Sequence, residues 1–247
     1  MSDSTYIVVF PSLFAESKIS LLMVNIKKIL KIQNQNFTKV FRDGNLILVE
    51  ANDPVFASST IGLLFGIKKI VIAKQIKNDF KTIVSEITKV GSSLLLKGEK
   101  FYVSVNGNPQ GYMTKDVELS ATSSLIEKNK RINAKPGTKE KHDKLLMAYI
   151  TKSNAYVSIF NDKGLGGTVN NSQNEKIICG ISDEFSGITC LETIKQGFDV
   201  KIVVFYKDDS ELMNIVKILH KILPRTCLLY TSPSPRDATL SRMPSSA

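Results

Sequence analysis

The stretch Thr38-Lys-Val-Phe-Arg-Asp-Gly-Asn-Leu-Ile-Leu-Val-Glu50 decides the first part of the fold. Residues 38–41 and 46–50 are rich in apolar side chains, and Asp43-Gly44 lies between them. An Asp-Gly pair between two such runs is a strong signal for a tight turn that joins antiparallel strands. The sequence therefore predicts a β-hairpin here.

The residues on either side of the hairpin complete an order of elements. A β-rich run at 6–10 precedes an amphipathic helix, whose apolar residues recur at helical spacing: Ile19, Leu22, Met23, Ile26, Ile29 and Leu30. After the hairpin, Asp53-Pro54 predicts the start of a helix, Gly66 its end just after Phe65, and residues 67–73 a further strand. The order βαββαβ is that of a ferredoxin-like unit, which we assign to residues 1–76.

Residues 77–168 are predicted to form a second unit of helices and strands. A helix with an apolar stripe begins near Phe80 and is closed by Gly91, and a strand follows at 101–105. Thr114 is predicted to cap a helix that runs to about residue 127, after which a basic loop leads to strands at 145–151 and 155–160. The glycine-rich segment 164–167 is predicted as a linker turn.

Residues 169–226 alternate between strand and helix. The pattern predicts strands at 175–181 and 199–206, the second of them fully buried, and helices at 186–196 and 210–222. Such alternation indicates the start of a doubly wound parallel sheet, so the predicted fold class is α/β (α+β).

The last segment, residues 227–247, differs in character from the rest. It is rich in Ser and Pro without periodicity, which is typical of a disordered terminus. Translated back into codons, residues 227–237 and 241–247 look like a transposase-type sequencing adapter. We therefore interpret residues 227–247 as a translated artefact and exclude them from the prediction of the fold.

Composition narrows the class of protein. Apolar residues make up 43% of the chain, and its apolar runs are too short to cross a bilayer, so we expect a cytoplasmic protein. The three cysteines and two histidines have no spacing suited to a zinc site or a disulfide framework. The net charge of +10, or +9 without residues 227–247, favours a polyanionic partner. The alternative is an incidental lysine bias, and the fold has to decide between the two.

The order and spacing of several short runs resemble the tRNA 4-thiouridine synthetase family over nearly all of residues 1–226. The runs are Gly66-Ile67, Gly98-Glu-Lys-Phe-Tyr-Val-Ser-Val105, Asp162-Lys-Gly-Leu-Gly-Gly167 and Ser172-Gln173. The resemblance implies an N-terminal ferredoxin-like domain, a THUMP RNA-binding domain at 77–168, and a truncated PP-loop ATP-pyrophosphatase domain at 169–226. In that family the first two domains hold tRNA around its acceptor end.

The candidate RNA-binding residues are the basic side chains of the loop after the second THUMP helix. As a group they are predicted to contact tRNA phosphates, and the alternative is that they belong to a solvated loop. They are Lys128, Lys130, Arg131, Lys135, Lys139, Lys141 and Lys144.

The family's ATP loop, Ser-Gly-Gly-x-Asp-Ser, aligns here with residues 181–186. Ser182 and Asp183 occupy the glycine positions, Phe185 replaces the Asp, and Glu184 adds a second carboxylate. Only Ser186 and the following Gly187 remain, so the loop is predicted to be degenerate. The alternative for the two acidic residues is that they cap a helix.

Two hypotheses follow for function. The first is a tRNA-binding protein that needs no cofactor, and the second is the N-terminal part of an active ATP-dependent tRNA sulfurtransferase. The resemblance implies ATP, magnesium and a persulfide sulfur donor for the enzyme, and a homodimer is a further expectation. A THUMP methyltransferase is a third option, although no Gly-x-Gly-x-x-Gly follows a strand after Gly167. No catalytic residue or metal ligand is assigned.

Overall fold

The computed structural model describes residues 5–226, so the adapter interpretation of residues 227–247 lies outside the described residues. Ten strands and six α-helices lie in the described range. The strands are β1 (Thr5–Pro11), β2 (Phe37–Asp43), β3 (Leu46–Ala51), β4 (Ile67–Lys77), β5 (Lys100–Gly107), β6 (Lys135–Pro136), β7 (Lys144–Ile150), β8 (Asn154–Gly166), β9 (Lys176–Ile181) and β10 (Asp199–Val204). The helices are α1 (Ile19–Ile32), α2 (Pro54–Ile61), α3 (Phe80–Leu94), α4 (Thr114–Lys128), α5 (Glu184–Lys195) and α6 (Asp209–Ile222).

The first unit has the predicted order, β1-α1-β2-β3-α2-β4, and its strands lie side by side as β2-β3-β1-β4. Asp43 pairs with Leu46 to close the hairpin, and Gly44 takes a φ of 61° that a turn at this position requires. Helix α2 ends at Ile61 rather than near Phe65. The chain tightens there into a turn, in which the backbone N–H of Leu64 donates to the carbonyl of Ile61.

One continuous sheet joins the first unit to the second. Its order is β2-β3-β1-β4-β8-β7-β5-β6, and β4 pairs with β8 in antiparallel register along most of its length. On β4, Ile70 packs against α1 and α2, whereas Ile76 packs on the core beneath α3 and α4. Since these two residues are an even number apart on one strand, all four helices cover the same face of the sheet.

The opposite face of this sheet is concave. Strands β2 and β8 are four strand spacings apart, about 19 Å if the sheet were flat. Asp43 Oδ2 nevertheless accepts a hydrogen bond from the Tyr156 hydroxyl at 2.6 Å, and the rings of Phe10 and Tyr149 are 5.1 Å apart. The sheet therefore curls toward itself and buries a second apolar cluster, which includes Val8, Leu48, Val71, Met147 and Tyr156.

Three predicted boundaries in the second unit are wrong. Gly91 does not end α3, because the helix continues to Leu94 and Gly91 instead lets α3 and α4 approach. The N-cap of α4 is Met113 rather than Thr114. The segment 164–167 is not a turn, since β8 extends to Gly166 along β4. A Cβ on Gly164 would lie 2.2 Å from the carbonyl oxygen of Ile67, so only glycine fits between the two backbones.

The third unit has the predicted β-α-β-α order, and β9 and β10 are parallel. Strand β10 is only partly buried, contrary to the prediction, because α5 and α6 cover only one of its faces: Val200 is buried and Lys201 is exposed. The linker residue Asn170 ties this unit to the first. Its side chain accepts from the N–H of Phe65 and donates to the carbonyl of Arg225.

The cysteines of β9 and α5 belong to the core, as predicted. Cys179 and Cys190 are free and buried, and burial raises the pKa of the Cys190 thiol to about 12.

Within residues 5–226, no helix combines the length and the apolar character that a membrane span requires.

Candidate nucleic-acid interface

The basic residues predicted to bind RNA lie together at one edge of the eight-stranded sheet. The segment is not the loop that the sequence predicted, because Lys128 ends α4, Lys130 and Arg131 form a 3₁₀ turn, and Lys135 belongs to β6. Lys139 and Lys141 follow in a turn that closes between Thr138 and Lys141. These six side chains are exposed. We call them the basic edge.

The backbone of the basic edge is fixed by hydrogen bonds to its neighbours. The N–H of Gly98 donates to the carbonyl of Ile132 at 2.9 Å, and the N–H of Gly137 donates to the carbonyl of Phe101 at 2.7 Å. Asn129 is buried, and its amide donates to the carbonyl of Leu125 and to the hydroxyl of Ser92. The cationic side chains therefore project from a positioned support.

The charges of the basic edge are not neutralised within the chain. Within residues 5–226, none of its six side chains makes a hydrogen bond or an ion pair. Two of the nearby carboxylates are used elsewhere: Asp143 accepts from the N–H of Lys100 at 2.7 Å, and Glu99 accepts from the N–H of Leu96 at 2.8 Å. The other two, Glu127 and Glu140, are exposed, so the six cations exceed the acidic residues of their own segment. Lys144 differs from the six, because it lies 3.8 Å from Glu99.

The positive charge is concentrated in the first two units. Residues 1–168 carry 24 basic and 14 acidic side chains, whereas residues 169–226 carry seven and eight. An incidental lysine bias would spread over the whole chain. The distribution instead gives the eight-stranded sheet and its helices a positive field that attracts polyanions.

Sequence reasoning missed several residues beside the basic edge. Lys100 of β5 pairs directly with Lys135 of β6, and Lys97 lies in the turn just before Gly98. Tyr102, two residues along β5, lies 5.8 Å from the ring of His142 between centroids. The available signal was the alternation of β5, in which Phe101 and its alternate residues are buried while Lys100 and Tyr102 point away from them.

The predicted ATP loop lies apart from the basic edge, between β9 and α5. Asp183 is the N-cap of α5, and its carboxylate accepts from the N–H of Ser186 at 2.8 Å. The Ser186 hydroxyl in turn accepts from the N–H groups of Ser182 and Asp183, each at 3.0 Å. The hydrogen bond from the backbone of Ser186 holds the pKa of the Asp183 carboxyl below its usual value.

Three backbone N–H groups of this loop are already bonded within it. A phosphate loop offers open backbone N–H groups, but those of Ser182, Asp183 and Ser186 donate to side chains of the loop itself. Gly187 also has a packing role, because a Cβ there would lie 2.5 Å from Ile218 of α6. Phe185 is 81% exposed and Glu184 is exposed beside it. Within residues 5–226 no cluster of His, Cys, Asp or Glu is arranged to hold a metal ion.

The chain was compared with known proteins by sequence and by structure. No protein-family model matches it, and no curated protein does so either. Among solved structures it is similar to PH1313 from Pyrococcus horikoshii Ot3, with 20% identity, a TM-score of 0.75, and coverage of 90% of this chain and 76% of that one.

Two further structures are similar. One is a 4-thiouridine synthetase in complex with RNA and with bound ATP, with 14% identity, a TM-score of 0.68 and coverage of 90% of this chain. This chain spans only 59% of that synthetase. The other is TrmN from Thermus thermophilus, with 8% identity, a TM-score of 0.50, and coverage of 87% of this chain and 69% of that one.

At these identities the likeness shows the fold. The predicted fold class is confirmed: an α/β (α+β) chain with a ferredoxin-like unit, a THUMP-like unit and the opening of a doubly wound unit, arranged as in a 4-thiouridine synthetase.

Proposed function

We propose that this chain is a cytoplasmic tRNA-binding protein, with the first two units as the binding module. The observation that carries the proposal is the basic edge, whose six cations project from a fixed backbone and have no anionic partner within residues 5–226. Such cations bind phosphates because each contact releases condensed counterions. The RNA in the complex of the similar 4-thiouridine synthetase supports RNA as the polyanion.

The recognition that fits this surface is of shape and backbone. Lysine and arginine contacts to phosphates fix the position of a nucleic acid without reading its sequence. Tyr102 and His142, beside the basic edge, offer ring faces on which unpaired bases stack. We therefore propose the acceptor end of tRNA as the ligand, since it joins a duplex to a single-stranded end.

The second candidate is that the chain is the N-terminal part of an ATP-dependent tRNA sulfurtransferase, supplied with sulfur by a persulfide donor and acting as a homodimer. The ATP bound in the similar synthetase favours it. The self-bonded loop at Ser182, Asp183 and Ser186 opposes it, because these N–H groups have no hydrogen free for a phosphate. We therefore favour the binding module, with a degenerate PP-loop.

The test is to titrate the full chain with tRNA at several salt concentrations. The triple substitution Lys130→Ala, Arg131→Ala and Lys135→Ala should weaken binding and lower the salt slope by roughly 0.7–0.9 for each phosphate that the variant no longer neutralises. A matched control removes Lys207, Lys217 and Lys221, which are exposed cations of the third unit. Equal slopes for the two triple variants would refute the basic edge as the binding surface, and salt-independent binding would refute the proposal as a whole.

A competition experiment addresses the acceptor end. A minihelix with the acceptor stem and a free single-stranded end should displace tRNA better than a blunt duplex of equal length. Equal competition by the two would contradict recognition of the acceptor end and leave only duplex binding.

A further inference from the structure

Lys69 lies on the concave face of the sheet with unusual partners. Its ammonium is 2.8 Å from the sulfur of Met147 and 4.6 Å from the centre of the Phe10 ring. Tyr149 meets the same ring edge to face, and Lys69 is partly buried among these side chains. A thioether is a weak acceptor, and a ring face only partly replaces water around a cation. The site therefore holds a half-desolvated positive charge.

The neighbours of Lys69 add positive charge rather than remove it. Lys163 of β8 is its direct partner across the sheet, so the two side chains share a face, and Lys68 precedes it in the chain. Within residues 5–226 none of these three lysines forms an ion pair. Asp162 points to the other face, and its carboxylate accepts from the N–H of Lys163. Burial and the charge of Lys68 lower the pKa of Lys69.

The register of the strands connects this site with the basic edge. Strand β7 runs antiparallel to β8, so Lys144 at the start of β7 lies at the same end of the sheet as Lys163 near the end of β8. Its side chain is on the helix-covered face with Leu146 and Ala148, opposite to the face of Lys163. Across β5, Lys144 pairs with Phe101, next to the Lys100–Lys135 pair. The lysines therefore follow one end of the sheet from β6 to β4, a path of about 19 Å measured along the strand spacings.

We propose that Lys69, which lies over the Phe10 ring, and its cross-strand partner Lys163 form a second phosphate subsite for the RNA held at the basic edge. The inference rests on the proposed function. An RNA phosphodiester supplies the anion that Lys69 lacks. The RNA strand that continues from the basic edge reaches Lys69 along the same end of the sheet. A half-buried cation gains more from such an anion than an exposed one, because water screens the pair less.

The experiment compares tRNA binding by the full chain and by lysine variants over a range of salt. Lys163→Gln alone changes an exposed side chain, and Lys69→Gln with Lys163→Gln removes both cations. The control is Lys27→Gln with Lys31→Gln on α1, where both side chains are exposed on the helical side of the sheet. The salt slope should fall by about 0.7–0.9 for each lysine of the subsite and remain unchanged in the control.

A second readout uses the unmodified chain, so it does not depend on the folding of any variant. Reductive methylation followed by peptide mass spectrometry should show that tRNA protects Lys69 and Lys163 but not Lys27. Inorganic phosphate serves as a separate arm, and equal protection by it at millimolar concentration would indicate a free-anion site and overturn the proposal. Absence of tRNA binding by the unmodified chain refutes the proposed function. Normal binding with no protection of Lys69 refutes only the subsite.

Discussion

The carboxylate of Asp43 accepts a hydrogen bond from the hydroxyl of Tyr156, across 113 residues of sequence. The same oxygen accepts from Thr151 at 2.9 Å and from Asn154 at 3.3 Å. Burial, followed by this hydrogen bond, raises the pKa of Tyr156, so the phenol stays protonated as the donor. One side chain of the first hairpin thus fixes the position of the β7–β8 connection.

We expect Asp43→Ala to lower the free energy of unfolding by about 2–4 kcal/mol, because it leaves the buried Tyr156 hydroxyl without its acceptor. Urea unfolding followed by circular dichroism measures the change. The control is Asp162→Ala, whose exposed carboxylate bonds only the adjacent N–H and should cost less than about 0.5 kcal/mol. Equal destabilisation of the two variants would show that the Asp43 hydrogen bonds contribute nothing specific.

Gly164 tests the close approach of β8 to β4. Because a Cβ there would lie 2.2 Å from the carbonyl oxygen of Ile67, Gly164→Ala should destabilise the chain by about 1–3 kcal/mol or more. Gly166→Ala is the matched control, since its φ of 66° imposes only a backbone strain of about 1–2 kcal/mol and its Cβ would meet open space. Thermal unfolding measures the destabilisation of each variant. A smaller destabilisation by Gly164→Ala than by Gly166→Ala would contradict the close approach of β8 to β4.

The cap of α5 makes a pH-dependent contribution to stability. The pKa of Asp183 is lowered in the folded chain, so its ionised carboxylate stabilises the fold above its ordinary pKa of 3.8, and this contribution disappears as the pH falls through the folded value. The difference in melting temperature between the unmodified chain and Asp183→Asn should therefore be largest near pH 7 and shrink toward pH 3. A difference that grows on acidification would contradict the cap.

The ATP loop itself is testable by binding. We expect no saturable binding of pyrophosphate or magnesium ATP in calorimetric titration, because side chains of the loop occupy the N–H groups of Ser182, Asp183 and Ser186. A comparison variant carries Ser182→Gly, Asp183→Gly and Phe185→Asp, and it retains Ile181, which is fully buried at the end of β9. Saturable binding by the unmodified chain at least as tight as that of the variant would show that the loop is functional.

Much of the fold could be predicted because its signals are local. The Asp43-Gly44 turn and the apolar stripe from Ile19 to Leu30 can each be recognised within one continuous segment of the sequence. The pairing of β4 with β8 was not predictable, since it joins segments far apart in the chain and depends on tertiary contact. The ends of α2 and α3 were misplaced for a related reason. Glycine at 66 and 91 signals a stop, but at 91 it serves the packing of two helices.

The candidate site was predicted in part for the same reason. The cluster from Lys128 to Lys141 is contiguous in sequence, so its charge is visible without a structure. Lys100 was missed because only the pairing of β5 with β6 brings it beside Lys135. Lys69 gave no signal at all, since its partners Phe10 and Met147 come from two other strands.

The long separation between β4 and β8 has a consequence during synthesis. At roughly 5–20 residues per second, a ribosome needs about 4–15 s to make the 76 residues between Lys77 at the end of β4 and Asn154 at the start of β8. Throughout that interval β4, an apolar strand of 11 residues, has no neighbour on one side. The unpaired edge of such a strand can pair with a strand of another nascent chain and so start aggregation. Charged side chains on the edge oppose this pairing. Strand β4 carries four lysines along its length: Lys68, Lys69, Lys74 and Lys77. Their charges oppose intermolecular pairing of β4 until β8 has been synthesised.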